Sequence, residues 1–423
     1  FVAASPTAQD LLVLHDGGYG LLAGALIDGV RVEALAGCYV ESGIDIQQQF
    51  KGATLRNFEI VGASQWGVVM GSLYKGGSGT YTFATKSQML AAYNREGVGS
   101  GATTINAGHC AWVTADGGNN GLYQLTGSDP NVAGGWTGPI SAADMAANPN
   151  LIYQGLIQAC VAGVQVQHPG TQIAGVSILD ITGGNWVGAD ASGSGQPLAL
   201  YDMAYDCEVE DCTIASSNSK YAEIGSGGVP TGNLLTSTKP VIHVKAIHSR
   251  IAQRQRVTLT GTVVRQRLFH SGPMIELLAA TDRGYVASDY CAYTNDNGVT
   301  GTFCDDAGTA RTFAEWKTSN SSDAHSQWNT ASSLGLDDAC RLLAGSALIG
   351  AGTARSGLDA SIPAVDAEGT ALSSPPDIGA YRYLSAAQAE AVRGTGRRML
   401  RALRTPGTPP IDSVAPATPS GLV

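Results

Sequence analysis

The chain has 423 residues with a formal net charge of −10; 43% of them are hydrophobic, only 14% are charged, and 55 are glycine. A hydrophobic fraction of this size, with only short polar stretches, excludes an intrinsically disordered chain. The acidic balance disfavours nucleic acid or an anionic membrane as a partner. No apolar stretch reaches about 18 residues, so we expect no membrane span.

Many short apolar runs alternate with Gly, Asn, Asp, Ser and Thr, a pattern typical of an all-β protein with many tight turns. One motif recurs: an apolar residue, any residue, a residue that tolerates a left-handed bend, and a second short apolar run. It occurs at Ile27–Val32, Leu55–Ile60, Ile178–Gly183, Val209–Ile214 and Leu259–Val264. Strands this short cannot bury a face alone, but stacked strands can pair with their neighbours and align similar side chains. The motif therefore predicts a parallel β-helix. The alternative, a β-sandwich, would favour longer strands with regular alternation.

The C-terminal part contains four segments in a characteristic order. They are SDYCAYTNDNG (Ser288–Gly298), ARTFAEWKTSNSSDAHS (Ala310–Ser326), LLAGSALIGAG (Leu342–Gly352) and PPDIGAYRY (Pro375–Tyr383). This region resembles the closing region of bacterial and phage right-handed parallel β-helix repeat proteins, which end in a motif similar to DIGAYEY. It departs from that motif at Arg382, where the family commonly has Glu. The resemblance implies the fold but no activity, because the family includes lyases, hydrolases, adhesins and tailspikes.

The predicted organisation has five parts. β-Helix strands occupy 1–79, a β-rich insertion occupies 80–140, and the main β-helix with its closing motif occupies 141–384. The insertion resembles short β-rich segments of phage tail-fibre proteins, although a long surface loop is the alternative. An Ala-rich basic helix at 385–404 could cap the open end of the solenoid, and 405–423 reads as a Pro-rich linker.

A basic island lies between Glu223 and Glu276, where the sequence contains no acidic residue. Its cations and histidines are Lys239, His243, Lys245, His248, Arg250, Arg254, Arg256, Arg265, Arg267 and His270. On stacked strands, Lys245, Arg254, Arg256, Arg265 and Arg267 could form a cationic surface that binds carboxylate or sulfate groups of a glycan. In a polysaccharide lyase, Lys245, His248 or His270 could act as the base, and Arg254, Arg256 or a bound Ca²⁺ could neutralise the charge that develops. The alternatives are a solvated basic face and a contact with a neighbouring subunit.

The segment Tyr201–Cys212 is acidic. Asp206 and Glu208, two residues apart, could form the carboxylate pair of a glycoside hydrolase. Asp202, Asp206 and Glu208 could instead bind Ca²⁺, the one cofactor that the sequence suggests. The alternative is that these carboxylates occupy solvated strand and turn positions.

Aromatic and cysteine residues complete the set of candidates. Trp66 and Trp186 lie in Gly-rich contexts and could stack on sugar rings, or could pack in the core or at the base of loops. Cys291 and Cys304 flank a turn-rich segment and could form a disulfide in an extracellular setting. The alternative is that they are free thiols in the core.

Together these features predict an extracellular, cell-surface or virion-associated β-helix that binds surface polysaccharide and assembles with neighbouring subunits. A tail-fibre-like, mainly adhesive role is the first interpretation. The alternative is a secreted polysaccharide lyase or glycoside hydrolase acting on an acidic glycan. The candidate catalytic residues are Lys245, Arg254, Arg256, Asp206 and Glu208.

Overall fold

The structure is a computed structural model, and it describes a defined part of the chain. The described residues are 2–3, 12–14, 25–34, 42–47, 52–63, 66–72, 82–92, 110–113, 115–125, 129–140, 147–166, 168, 170–181, 197–200, 206–216, 242–244, 257–266, 273–277, 283, 286–296, 302–306 and 308–388. Over these residues the protein is all-β, with two large sheets in which nearly all strands pair in parallel.

The first sheet contains 13 described strands, and every one of its pairings is parallel. They are β1 (Val2–Ala3), β3 (Leu26–Asp28), β4 (Arg31–Ala34), β6 (Thr54–Val61), β12 (Leu151–Gln158), β14 (Gln172–Ile181), β16 (Glu208–Glu210), β17 (Thr213–Ser216), β19 (Val257–Thr260), β20 (Val263–Gln266), β22 (Val286–Asp289), β23 (Ala292–Asn295) and β26 (Gln327–Trp328).

The second sheet contains nine described strands, of which only the last pair is antiparallel. They are β2 (Leu12–Leu14), β5 (Ser42–Gln47), β7 (Trp66–Ser72), β13 (Ala162–Val166), β15 (Leu198–Leu200), β18 (Ile242–Val244), β21 (Ile275–Leu277), β24 (Cys304–Asp306) and β25 (Thr309–Arg311). The chain alternates between the two sheets: β4 is followed by β5 in the second sheet, β6 in the first and β7 in the second. From β12 to β24 the same alternation continues. We call each passage of the chain through the first sheet a row.

A left-handed bend interrupts every complete row of the first sheet at one equivalent position. The residues at this bend have φ between 49° and 72° and are Gly29, Asn57, Gln154, Gly175, Asp211, Gly261 and Tyr290. A second column of such bends contains Gly62, Ala159 and Asp180. Four residues of the first column are not glycine, and each costs about 1–2 kcal/mol in this conformation. The surrounding packing must offset that cost.

Inward side chains of the rows stack in columns and form the core. One column contains Ile27, Leu55, Ile152, Ile173, Val209 and Leu259, each in parallel register with the next. A second contains Val32, Ile60, Ile157, Ile178, Ile214, Val264 and Tyr293. The second sheet faces them with Ile44, Val68, Val164 and Leu198. All of these side chains belong to one buried cluster, and each buried aliphatic contributes about 1.5–3 kcal/mol.

The register corrects one of the predicted motif copies. Four copies align at the first bend, but Ile178–Gly183 does not, because Ile178 pairs with Ile214 at the end of another copy. The equivalent segment of that row starts five residues earlier, at Ile173. The sequence ILDITG instead contains the second bend, at Asp180, and its last two residues lie outside the described part. The row at Ile152 was missed because Gln154 is an unusual residue at a left-handed bend.

The predicted insertion at 80–140 contains a small separate sheet. Its four described strands are β8 (Thr82–Phe83), β9 (Cys110–Val113), β10 (Gly121–Leu125) and β11 (Trp136–Ile140), with helix α1 at Lys86–Ala92. Short 3₁₀ turns occur at Gly117–Asn119 and Ala133–Gly135. Phe83, Met89, Tyr123 and Trp136 form its own apolar cluster. This sheet shares no described strand pairing with the two large sheets.

An aromatic cluster lies beside the last row. Helix α2 (Phe313–Asn320) begins with a capping box at Thr312 and Glu315. It brings Trp316, which is fully buried, into the aromatic group of Tyr293, Phe303, Phe313 and Trp328. This helix therefore covers apolar groups at the end of the stack. The predicted capping helix at 385–404 is described only at its first turn, 386–388, and the linker at 405–423 lies outside the described residues.

The C-terminal segment after helix α3 (Ala331–Leu334) folds back over the outer face of the first sheet. Leu336, Leu342, Leu348 and Ile378 pack with outward side chains of the sheet, Leu179, Ala215, Val263 and Ala292. The PPDIGAYRY segment supplies much of this contact. The Gly379 N–H donates to Gly261 O at 2.7 Å, and the Ala380 N–H donates to Thr213 Oγ1 at 3.0 Å.

Within that segment, Asp377 and Arg382 hold the backbone together. The Asp377 carboxylate accepts from the N–H groups of Gly350 and Tyr383 at 2.7 and 2.6 Å. The Arg382 guanidinium donates to Ala371 O at 2.9 Å, a bond that a glutamate in its place could not make. The closing motif is therefore a device for docking the segment onto the sheet.

Replacement of Gly155 by alanine tests the stacking of rows. A Cβ at Gly155 would collide with the buried ring of Phe58, its partner in the next row. We expect Gly155→Ala to lower the free energy of unfolding by about 1–3 kcal/mol in denaturant titrations. Gly134→Ala is the control, because a Cβ there meets no atom within 4 Å. Equal stability of the two variants would contradict the described packing.

Candidate functional site

The four described acidic residues of the Tyr201–Cys212 segment lie on and beside β16. Glu208 and Glu210 both point outward from the strand, while Val209 between them points into the core. Asp206 precedes the strand and Asp211 follows it, each with a left-handed backbone, at φ 55° and 49°. We call Asp206, Glu208, Glu210 and Asp211 the acidic row. Asp206 lies at a bend before the strand, so it is not two positions from Glu208 on one extended strand. The two carboxylates with that spacing are Glu208 and Glu210.

Burial makes ionisation unfavourable along the acidic row. Glu210 is only 4% exposed, and burial together with the charges of Asp211 and Glu208 raises its pKa to about 7. Burial and the neighbouring charge of Glu208 raise the pKa of Asp206 to about 6. Burial also raises the pKa values of Glu208 and Asp211. One oxygen each of Glu208 and Glu210 is buried with no hydrogen-bond partner among the described residues.

The C-terminal segment covers part of the acidic row. Arg355 donates from Nε to Asp211 Oδ2 at 2.6 Å, and from its two Nη atoms to the carbonyls of Pro363 and Val365 at 2.6 and 3.1 Å. Gly357 lies against the Glu208 carboxylate so closely that a Cβ there would collide with it. The row is therefore a set of carboxylates sandwiched between the sheet and a backbone segment.

The acidic row could donate a proton or bind Ca²⁺. A carboxyl group with a raised pKa can donate a proton near neutral pH, and Asp206 and Glu208 are both partly exposed. The Ca²⁺ hypothesis stays a prediction. Asp202 lies outside the described residues, and no group of three acidic, His or Cys side chains among those described is arranged to hold a metal ion.

The predicted cationic surface is corrected at Arg265. This side chain is 6% exposed, and its guanidinium forms a bidentate pair with Asp296, with both distances 3.0 Å. A further nitrogen donates to Asp337 O at 2.8 Å. Arg265 points outward from β20, but the C-terminal segment covers it, so it cannot bind a glycan as an exposed cation. Lys245, Arg254, Arg256 and Arg267 lie outside the described residues.

The predicted sugar-stacking role is corrected at Trp66. Its side chain is 8% exposed and packs with Val69, Ala162 and Ala199 on the second sheet. A ring buried in this way offers no face to a sugar, so the core alternative holds for Trp66. Trp186 lies outside the described residues.

The predicted disulfide between Cys291 and Cys304 is wrong: both are free, buried thiols. They belong to different sheets, because Cys291 precedes β23 and Cys304 begins β24. Cys291 instead has a hydrogen-bonding role at the bend. It follows the left-handed residue Tyr290, and its Sγ contacts the carbonyl oxygen of Asp289, two residues back, at 3.4 Å.

The same geometry recurs at other bends. The Sγ atoms of Cys160 and Cys212 contact the carbonyls of Gln158 and Glu210 at 3.4 and 3.2 Å. Thr262 Oγ1 donates to Thr260 O at 3.0 Å. A small side chain with a donor, Cys or Thr, thus satisfies the carbonyl that precedes the bend. This role explains buried cysteines without disulfides.

Asp323 and His325, two residues apart in the sequence, have different partners. Asp323 is buried and accepts from Ser288 Oγ at 2.6 Å and Trp316 Nε1 at 2.8 Å. His325 is exposed, stacks on Tyr290 and lies 2.8 Å from Asp289 Oδ2. Asp323 therefore organises the end of the core and is not part of a catalytic pair with His325.

Sequence reasoning missed Glu210 and Arg355 as site residues. Glu210 occupied the bend of the repeat motif, where an acidic residue is ordinary. Arg355 lies 144 residues from its partner Asp211 in the sequence. The signal that could have found it is the closing motif itself, which predicts a segment folded back on earlier rows.

Comparison with known proteins yields no match: no family model, no curated protein and no solved structure matches the chain. Within the described part of the chain, no helix is long and apolar enough to cross a membrane.

Arg265→Ala tests the structural role of the buried ion pair. The substitution leaves Asp296 partly buried without its bidentate partner, so we expect the free energy of unfolding to fall by about 3 kcal/mol. Glu33→Ala is the control, because its pair with Arg31 is exposed at 38% and 49% and should contribute about 1 kcal/mol or less. Equal losses in urea titrations would show that Arg265 is not held as described.

Thiol labelling tests the corrected cysteine roles. Burial raises the pKa of Cys160, Cys207, Cys212 and Cys304 to about 12, so these thiols should be unreactive in the folded protein. We expect alkylation of the native protein to spare them until unfolding, as mass spectrometry of peptides would show. A cross-linked peptide containing Cys291 and Cys304 would contradict this.

Proposed function

We propose that this chain is a right-handed parallel β-helix that serves outside the cell or on a virion as a rigid, polysaccharide-binding scaffold. The observation that supports this most is the alternation of parallel strands between two large sheets. Parallel rows repeat about every 4.8 Å, which gives an extended lateral surface suited to an extended polymer. The resemblance of the C-terminal segment to the closing region of β-helix repeat proteins agrees with the proposal.

The connections between sheets supply the binding residues in this proposal. Lys245, Arg254 and Arg256 lie between β18 and β19, and Asp206 lies between β15 and β16. Because β15 pairs with β18 and β16 pairs with β19, these two connections leave and enter the sheets at neighbouring positions. In the sequence the cations follow the acidic row by one connection, and we propose that both contribute to the glycan site.

The acidic row favours a second candidate function, glycoside hydrolysis. A glycosidase needs one carboxyl group that is protonated near neutral pH and a second carboxylate nearby. Asp206, with its pKa raised to about 6 by burial and by the charge of Glu208, has the properties of the acid. Glu208 would then act as the partner carboxylate. The first candidate needs no catalysis, so the two functions differ in a measurable way.

A panel of acidic and neutral polysaccharides tests both functions on the purified full chain. We expect saturable binding of at least one polysaccharide, measured by calorimetry or affinity electrophoresis. Replacing Arg254 and Arg256 together by Ala should weaken that binding about tenfold or more, because each Arg can bind an anionic group in a bidentate manner. New reducing ends that disappear in Asp206→Asn and Glu208→Gln would establish hydrolysis, whereas unsaturated uronate products would establish a lyase.

Glu33→Gln is the matched control, since Glu33 is an exposed carboxylate on the same sheet outside the acidic row. It should behave as the unchanged protein in every assay. Absence of binding and of products across the whole panel would refute the polysaccharide-binding proposal.

A further inference from the structure

We propose that residues 353–366 form a pH-gated cover, which stays docked over the acidic row in acidic medium and is released as the medium becomes neutral to alkaline. The inference goes beyond the proposed function, because it assigns a conformational device to the C-terminal segment. It rests on which contacts dock the cover onto the sheet and on which charges lie beneath it.

Three groups of contacts dock the cover. Arg355 bridges Asp211 on the sheet to the carbonyls of Pro363 and Val365, so one guanidinium joins the cover to the row and closes the cover on itself. The Asp359 N–H donates to Gln172 Oε1 at 2.6 Å. Ile362 packs in a small apolar cluster with Leu151, Tyr153 and Ala174. The cover contains no described strand.

The acidic row lies directly under this segment. The Gly357 N–H approaches the Glu210 carboxyl group, and Gly357 also contacts the Glu208 carboxylate. Glu210 is 4% exposed, and its Oε2 has no hydrogen-bond partner among the described residues. A protonated Glu210 is tolerated in this site, whereas an ionised one places in a buried position a charge that Arg355 and the Gly357 N–H offset only in part.

The charged groups around Glu210 do not neutralise it. Its own segment supplies Glu208 and Asp211, with Asp206 beyond them, and the cover contains Arg355, Asp359 and Asp366, whose pKa burial raises to about 6. The neighbouring strands present no charge at the paired positions, which hold Gln172, Ala174, Thr258 and Thr260. Arg355 is already paired with Asp211. Full ionisation therefore sets four carboxylates of the row against one guanidinium.

The direction of the pH dependence follows from linkage. In the docked state the pKa of Glu210 is raised from 4.5 to about 7, so this state binds more protons than the open state between these values. Docking is fully favoured below the ordinary value and weakens as the pH rises through about 4 to 7. Above that range the ionised row repels itself and the cover opens more often.

Hydrogen–deuterium exchange on the full chain tests the inference. After correction for the intrinsic exchange rate, we expect amides of 356–366 to exchange about tenfold faster or more at pH 8 than at pH 5.5. Glu210→Gln mimics the protonated side chain, so its exchange should be slow at both pH values. Glu33→Gln, the exposed control, should show the full pH dependence of the unchanged protein.

Two further comparisons decide the interpretation. Arg355→Gln should exchange fast at both pH values, because it removes the bridge itself; slow exchange in this variant would overturn the proposal. Amides of β12 must stay protected throughout, which separates opening of the cover from global unfolding. Exchange in the unchanged protein that does not depend on pH, an undiminished pH dependence in Glu210→Gln, or simultaneous loss of β12 protection would each refute the gated cover.

Discussion

The left-handed bend that recurs in the first sheet is the constraint on which the rest of the structure depends. It lets the backbone change direction within one row while an inward residue on each side, such as Leu55 and Ile60, still reaches the core. Each non-glycine bend is costly alone, so the rows are stable only when stacked and buried together. The bend also leaves a carbonyl that Cys212, Thr262 and Cys291 satisfy with side-chain donors. The packing of the core and the hydrogen bonds at the bends therefore depend on each other.

The outer face of the first sheet has an apolar part and an acidic part, and the C-terminal segment covers both. Where it is apolar, at Leu179, Val263 and Ala292, the C-terminal segment packs on it as on a second core. Where it is acidic, around Glu210, the same segment covers carboxylates whose ionisation burial opposes. A folding motif at one end of the sequence thus determines the chemistry of a row more than one hundred residues earlier. The C-terminal segment also accounts for the burial of Arg265, whose guanidinium donates to Asp337 O in that segment.

Much of the fold could be predicted because it depends on local chemistry. Gly29, Asn57, Asp211 and Gly261 are residue types that adopt left-handed bends readily, so their rows were visible in the sequence. The rows at Gln154 and Tyr290 were not, because tertiary packing imposes the bend there.

The site was harder to predict because it depends on which outward residues the C-terminal segment covers. Arg265 and Trp66 are residue types that commonly bind glycans, but the side chains of both are buried. Glu210 is an ordinary residue type for a turn, but burial and neighbouring charges raise its pKa to about 7. Spacing along the sequence gives the direction of a side chain on a strand, but not what lies above it.

A register-specific disulfide tests the stacked parallel rows most directly. Leu55 and Ile152 are 97 residues apart in the sequence, yet they are paired in adjacent rows and both point inward. Paired Cα atoms in neighbouring strands lie about 5 Å apart, within the range that a disulfide spans. Leu55→Cys combined with Ile152→Cys should oxidise to a linked peptide that mass spectrometry identifies. Leu55→Cys with Tyr153→Cys, shifted by one residue to the opposite face, should not. A link in the shifted pair, or none in the paired one, would contradict the account.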